Sequence, residues 1–129
     1  NVQQIDFDDP ADFVGISVML TIQIKRGWEI ADNYRKKGIK VIFGGIAAML
    51  HAEETSSHAD AVFLGEAEGR MADVFADFRK GELKKVYNYL NDQPPIETVG
   101  PARRDILKKE LSAAEMQEAE KLKLELTTR

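Results

Sequence analysis

The 129-residue sequence contains no cysteine, which excludes disulfides, thiolate metal ligation and cysteine nucleophiles together. Histidine is nearly absent too. The two present, His51 and His58, flank Glu53-Glu54 without a third partner at ligand spacing, so both are read as surface residues and no metal site is expected. No apolar run approaches the roughly 20 residues that a membrane helix needs. Residues Asn1 to Asp9 are polar and acidic, unlike a secretory signal. Phosphate-binding fingerprints are missing: no Gly-x-Gly-x-x-Gly follows a strand pattern, and no Gly-Lys-Ser/Thr occurs. A nucleophile beside a base and paired carboxylates in a pocket are missing as well, so no catalytic residue is assigned to this chain. The net charge of -4 argues against a nucleic-acid surface. The cytoplasm is the expected location, with neither nucleic acid nor membrane as partner.

What the chain does have is three short apolar runs, each carrying glycine and each followed by a helical pattern. They are Phe13-Val14-Gly15-Ile16-Ser17-Val18-Met19, Lys40-Val41-Ile42-Phe43-Gly44-Gly45, and Ala61-Val62-Phe63-Leu64-Gly65-Glu66-Ala67-Glu68-Gly69. Strands that alternate with helices return parallel through crossovers, so an α/β fold with a helix-covered parallel sheet is expected. The first strand, 13–19, is apolar apart from Gly15 and Ser17, which suits a strand covered on both faces. A helix from about Ile22 to Lys37 buries Ile24, Trp28, Ala31 and Tyr34 at helical spacing. Its basic last turn, Arg35-Lys36-Lys37, reads as a solvated run complementing the helix end, with Gly38 as the stop. Short helical structure is expected over Ile46–Ser57. An amphipathic helix from about Gly69 to Lys80 buries Met71, Val74, Phe75 and Phe78, and Gly81 ends it. Val86, Tyr87 and Tyr89 suggest a short extended piece.

The boundary of the α/β domain is placed near Asn91, giving a domain over 1–91 and a linker plus helix over 92–129. Gln93-Pro94-Pro95 and Gly100-Pro101 break the chain. Ser112-Ala113-Ala114-Glu115 fits a capping box that opens a helix to about Leu126, with Met116, Ala119 and Leu122 as one stripe.

The ordered series Asp12 to Met19, Gly44-Gly45 and Ala59-Asp60-Ala61-Val62-Phe63-Leu64-Gly65-Glu66-Ala67-Glu68-Gly69 resembles the cobalamin-binding domain that precedes the catalytic core of cobalamin-dependent radical S-adenosylmethionine enzymes. The likeness spans about Asp12 to Tyr87. Pro101-Ala102-Arg103-Arg104-Asp105 is similar to the linker that follows this domain, and Thr127-Thr128-Arg129 to residues just before the cluster-binding cysteines. The resemblance implies a flavodoxin-like, Rossmann-like three-layer fold with cobalamin docked over the strand ends. Against the family pattern, the sequence is read as beginning after the family's first strand, first helix and second strand. The usual Gly-Gly-x-His is also replaced by Gly44-Gly45-Ile46-Ala47, and His51 is no positional match. An iron–sulfur cluster and S-adenosylmethionine belong to the catalytic domain, which would be the partner in the intact protein.

In parallel sheets ligands sit beyond the carboxyl ends of the strands. The cofactor-binding candidates are therefore Ser17, Val18, Gly44, Gly45 and Glu66. Ser17 would donate to a ligand amide or phosphate; the alternative is a serine bonded to nearby backbone. The glycine pair either admits a ligand to the backbone or forms a turn that needs positive φ. Glu66 would accept a hydrogen bond from a ligand, whereas Glu68 is read as complementing a helix start. Trp28 is read as core. A second functional class is an interaction or oligomerisation domain that no longer binds cofactor and pairs as a homodimer through an exposed sheet edge.

Overall fold

The computed structural model describes residues 4–102 together with Gln117, Glu120 and Lys121. The chain divides into two compact units, Asn1–Val99 and Gly100–Arg129. In the first unit the three apolar runs become strands β1 (Phe13–Ser17), β2 (Lys40–Gly44) and β3 (Ala61–Leu64), and Val86–Asn88 joins them as β4. The four strands form one sheet in the order β1-β2-β3-β4, with every pairing parallel. The helices are α1 (Ile24–Lys36), α2 (Ile46–Leu50), α3 (Ala52–His58) and α4 (Met71–Lys80). This is an α/β, Rossmann-like arrangement, with strand register set by the pairs Ser17↔Gly44 and Phe43↔Val62. The capping box and helix expected over 112–126 lie outside the described residues, except that Gln117, Glu120 and Lys121 are helical.

Strand alternation sends side chains to two faces. Val41 and Phe43 of β2 face one way and pack with Ile24 and Ala31 of α1, Ala47 and Ala48 of α2, and Ala59. Ile42 faces the other way, in a cluster with Ala61, Phe63, Val74 of α4 and Tyr87. Helices α1 to α3 therefore cover one face and α4 the other. The steps β1→β2 and β3→β4 move the same way across the sheet over opposite faces, so these two crossovers have opposite hands, although such connections are almost always right-handed. Helix α4 also reaches back to β1: Phe13 lies 4.9 Å from Phe78 and 5.6 Å from Phe75 between ring centroids.

Several expectations are corrected. The first strand stops at Ser17, and Met19, Leu20 and Ile22 are exposed. The strand is an edge strand that is covered only in part: Val14 and Ile16 pack half-buried on one face and Phe13 on the other, while Gly15 and Ser17 are exposed. The 46–57 segment is two helices, because His51 leaves helical geometry at φ -124°, ψ 41°. Phe75 is 39% exposed, since it packs edge-on against Phe13 at the open side of the sheet and not beneath α4. Glu68 lies before the helix; α4 starts at Met71 and Asp73 is its first-turn acid.

Gly27 sets how closely α1 approaches the sheet. A Cβ there would stand 2.6 Å from Phe43 Cζ and 2.9 Å from Val18 Cγ2. Trp28 is half-buried, and its indole N–H donates to the hydroxyl of fully buried Thr55 at 3.0 Å. The His58 ring stacks on the indole at 4.9 Å with a 10° tilt, and its Nδ1 meets Asp32 Oδ2 at 2.9 Å. His58 is thus a part of the α1–α3 packing, not an isolated surface histidine.

Candidate functional site

The parallel sheet has chemically distinct ends. At the amino ends of β2 and β3 the charges are tied to each other. Asp60 accepts from Val41 N–H at 2.9 Å and from Lys40 Nζ at 3.0 Å, and Arg35 Nε lies 3.5 Å away. Burial pushes the Asp60 carboxyl up, but the Val41 N–H, Lys40 and Arg35 outweigh it and leave its pKa below the ordinary carboxylate value. Arg35 also donates to the Ser57 carbonyl at 2.9 Å, and Lys37 reaches the Phe7 carbonyl and the Asp8 carboxylate. The basic run is therefore more than a solvated helix end, because two of its three residues clasp neighbouring segments.

At the carboxyl ends the backbone opens. A cleft of about 490 Å³ is lined by Ser17, Met19, Gly45, Ile46, Met49, Gly65, Glu66, Leu90 and Gln93. A neighbouring hollow of about 310 Å³ on the α4 side shares Ser17, Gly45, Gly65 and Glu66, and adds Gly44, Phe63 and Met71. Of the five sequence candidates, Ser17, Gly44, Gly45 and Glu66 meet here, from the ends of three strands. Val18 does not line the space. Its side chain is buried with Phe43 and Ala47, while its N–H donates to the Gly44 carbonyl at 3.1 Å and its carbonyl accepts from Ala47 N–H at 3.0 Å.

Each residue arrives by local necessity. Ser17 is the last residue of β1 and is exposed; among the described residues no hydrogen bond ties its hydroxyl to neighbouring backbone. The glycine pair splits into two roles. Gly45 has φ 92° and ψ 170°, and a Cβ on it would lie 2.5 Å from the Val18 carbonyl oxygen and 3.0 Å from Ser17 Oγ. Gly44 is an ordinary strand residue whose missing Cβ would find only ordinary contacts, 3.7 Å from Phe63. Gly45 is therefore the turn that needs positive φ, and Gly44 the residue that leaves room for something else. Glu66 is exposed in the turn between β3 and α4.

Sequence reasoning did not single out Gly65 or the segment after β4. Gly65 has φ 110°, and a Cβ on it would stand 2.8 Å from the Tyr89 carbonyl carbon and oxygen. It lets residues 89–93 pass over the end of β3, where Leu90 and Gln93 wall the cleft. The positive φ of Gly65 was hidden in a motif, and the strap's course depends on β4 joining the sheet. Met19, Ile46, Met49 and Leu90 add an exposed apolar rim. Among the described residues no group of three metal-ligating side chains exists; His51 pairs with Glu54 at 2.9 Å and His58 with Asp32. No described helix is long and apolar enough to cross a membrane.

No family model matches the chain. It is similar to bacteriochlorophyllide d C-8(2)-methyltransferase of Chlorobaculum tepidum, 36% identical over 98 residues that make up 76% of this chain and 21% of that protein. It is also similar to bacteriochlorophyllide d C-12(1)-methyltransferase of the same organism, 30% identical over 89 residues, or 66% of this chain and 20% of that one. The chain thus spans about a fifth of the length of the curated relatives it matches. Among solved structures it resembles the N-terminal domain of a hypothetical protein from Thermotoga maritima, with a TM-score of 0.52 and 21% identity over 68% of this chain and 75% of that one. That likeness concerns the fold.

Proposed function

We propose that this chain is a cobalamin-binding module of a radical S-adenosylmethionine methyltransferase, and that it holds the cofactor over the carboxyl ends of its strands for a catalytic domain carried elsewhere. One observation supports this reading above the others: Ser17, Gly44, Gly45 and Glu66, chosen from sequence, border two adjoining hollows at the carboxyl end of the sheet, where ligands of such sheets sit. The relatedness to two methyltransferases supports the reaction class. The donor set suits a large cofactor edged with amides. Ser17 offers a hydroxyl, Glu66 a carboxylate acceptor, and Gly44 backbone free of side chain. The rim of Met19, Ile46, Met49 and Leu90 offers apolar surface to a macrocycle. Bound cobalamin would supply a cobalt centre able to carry a methyl group; these residues bind and orient it, and Val18 acts only through the backbone bonds that fix the glycine turn.

Titration with hydroxocobalamin, followed by its visible spectrum and by co-elution, tests the proposal. Saturable binding is expected, weakened about fivefold by Ser17→Ala or Glu66→Gln, the worth of one hydrogen bond. Absence of any spectral change or co-elution at high micromolar concentration would refute it for this chain.

A second reading draws support from β1, an edge strand with exposed Gly15 and Ser17. Its unpaired backbone groups suit strand addition by a second copy. Light scattering across concentrations decides this reading, and a monomer mass throughout would end it.

A further inference from the structure

The wall of the cleft is held from outside it. Residues 89–93 cross the end of β3 with Leu90 and Gln93 facing the cleft, yet the strap has few anchors of its own. Tyr89 N–H donates to the Leu64 carbonyl at 2.8 Å, and the Tyr89 ring lies 5.5 Å from that of Phe63. Beyond Tyr89 the chain leaves the sheet; Leu90 N–H donates to Asn88 Oδ1 at 3.2 Å and Asp92 N–H to the Tyr89 carbonyl at 3.1 Å, both within the segment itself, and the tie to the rest of the unit comes from the residue that precedes α4. Arg70 Nη2 donates to Asp92 Oδ2 at 2.5 Å, and its guanidinium carbon sits 5.3 Å from the centroid of the Tyr89 ring. Arg70 grips the strap at two points three residues apart while lining neither part of the cleft. Its Nε is buried with no acceptor among the described residues, so its position is dictated by Asp92 and the ring and not by full satisfaction of its own donors.

We propose that Arg70 is a positioning residue, a clasp that keeps the 89–93 strap shut as the wall of the Ser17–Glu66 cleft. The inference rests on the cofactor-binding reading for the ligand but not for the clasp itself. A planar guanidinium can stack on an aromatic ring and engage a carboxylate at once, whereas a lysine ammonium cannot do both in one geometry. Releasing the clasp frees Leu90 and Gln93 to move from the cleft while the sheet stays intact.

The experiment uses the full chain and compares wild type with Arg70→Ala and Arg70→Lys by amide hydrogen exchange and hydroxocobalamin titration. In Arg70→Ala, exchange across residues 89–92 is expected to quicken about fivefold, the worth of one exposed ion pair and one cation–π contact. Protection of β2 is expected to stay unchanged, and cobalamin affinity to fall by a similar factor through faster release. Arg70→Lys falls between the two. If Arg70→Ala loses protection throughout, Asp92→Asn makes the same test without touching α4. Unchanged exchange over 89–92 overturns the clasp, whatever the titration gives. Faster exchange with unaltered affinity overturns the strap as a wall. Faster exchange in a protein whose wild type binds no cobalamin upholds the clasp and refutes the cofactor reading instead.

Discussion

Replacing Gly45 by alanine places a methyl group where the Val18 backbone already stands. The added Cβ would lie 2.5 Å from Val18 O and 2.8 Å from Val18 N, both main-chain atoms that cannot swing aside. The same carbonyl accepts from Ala47 N–H, so yielding would cost the bond that starts α2. The backbone at φ 92°, ψ 170° adds strain, because that region belongs essentially to glycine. Conformational strain and steric displacement together come to about 3–5 kcal/mol. In a unit of this size that lowers the melting temperature by roughly 15–30 °C. Gly44→Ala is the matched control. It adds the same methyl one residue earlier, meets Phe63 at 3.7 Å and needs no unusual φ, so it should be neutral or stabilising by about 0.4–1 kcal/mol. Thermal and urea unfolding by circular dichroism read both variants. Gly45→Ala melting within about 2 °C of wild type would refute the reasoning, as would equal losses in the two variants, since only the backbone geometry separates them.

Further outcomes follow from the packing. Gly27→Ala pushes a methyl against Phe43 and Val18, so despite the better helix former it should destabilise by about 1–2 kcal/mol in urea unfolding. Thr55→Val removes the acceptor of the Trp28 N–H; a loss of about 1 kcal/mol is expected, with a change in the emission of the chain's one tryptophan. The depressed pKa of Asp60 makes its contribution full above the unfolded value of about 3.9 and lost as pH falls through the folded value. Asp60→Asn should therefore cost about 1–2 kcal/mol at neutral pH, a gap that narrows in stability measurements taken on acidification below about pH 4.

The α/β class was legible because the apolar runs are short, each carries glycine and they are spaced by helical stripes. The rest depended on facts that no local pattern carries. Val14 and Ile16 gave the same apolar signal that a central strand gives, but β1 stands at an edge, which is a matter of which strands exist beside it. Met19 extended that signal past the strand, and the structure leaves it exposed. The break at His51 has neither proline nor glycine to announce it. β4 is only three residues long, so its pairing with β3 rests on tertiary contacts such as Tyr87 OH donating to Asp77 at 2.9 Å. At the cleft, the candidate residues were found from their place at strand ends, whereas the division of labour between Gly44 and Gly45 needed backbone angles.

The strand order has a consequence for how the chain is made. Each strand lies beside the one that comes next in sequence, so a polypeptide leaving the ribosome can lay down its sheet in the order of synthesis, each new strand finding its partner already waiting. One face does not close that way. Phe13 emerges early, yet the rings that cover it, Phe75 and Phe78, belong to α4. Until translation has passed them, Phe13 lacks the aromatic cover it has in the folded unit, so this face of the sheet is completed only after α4 has been made.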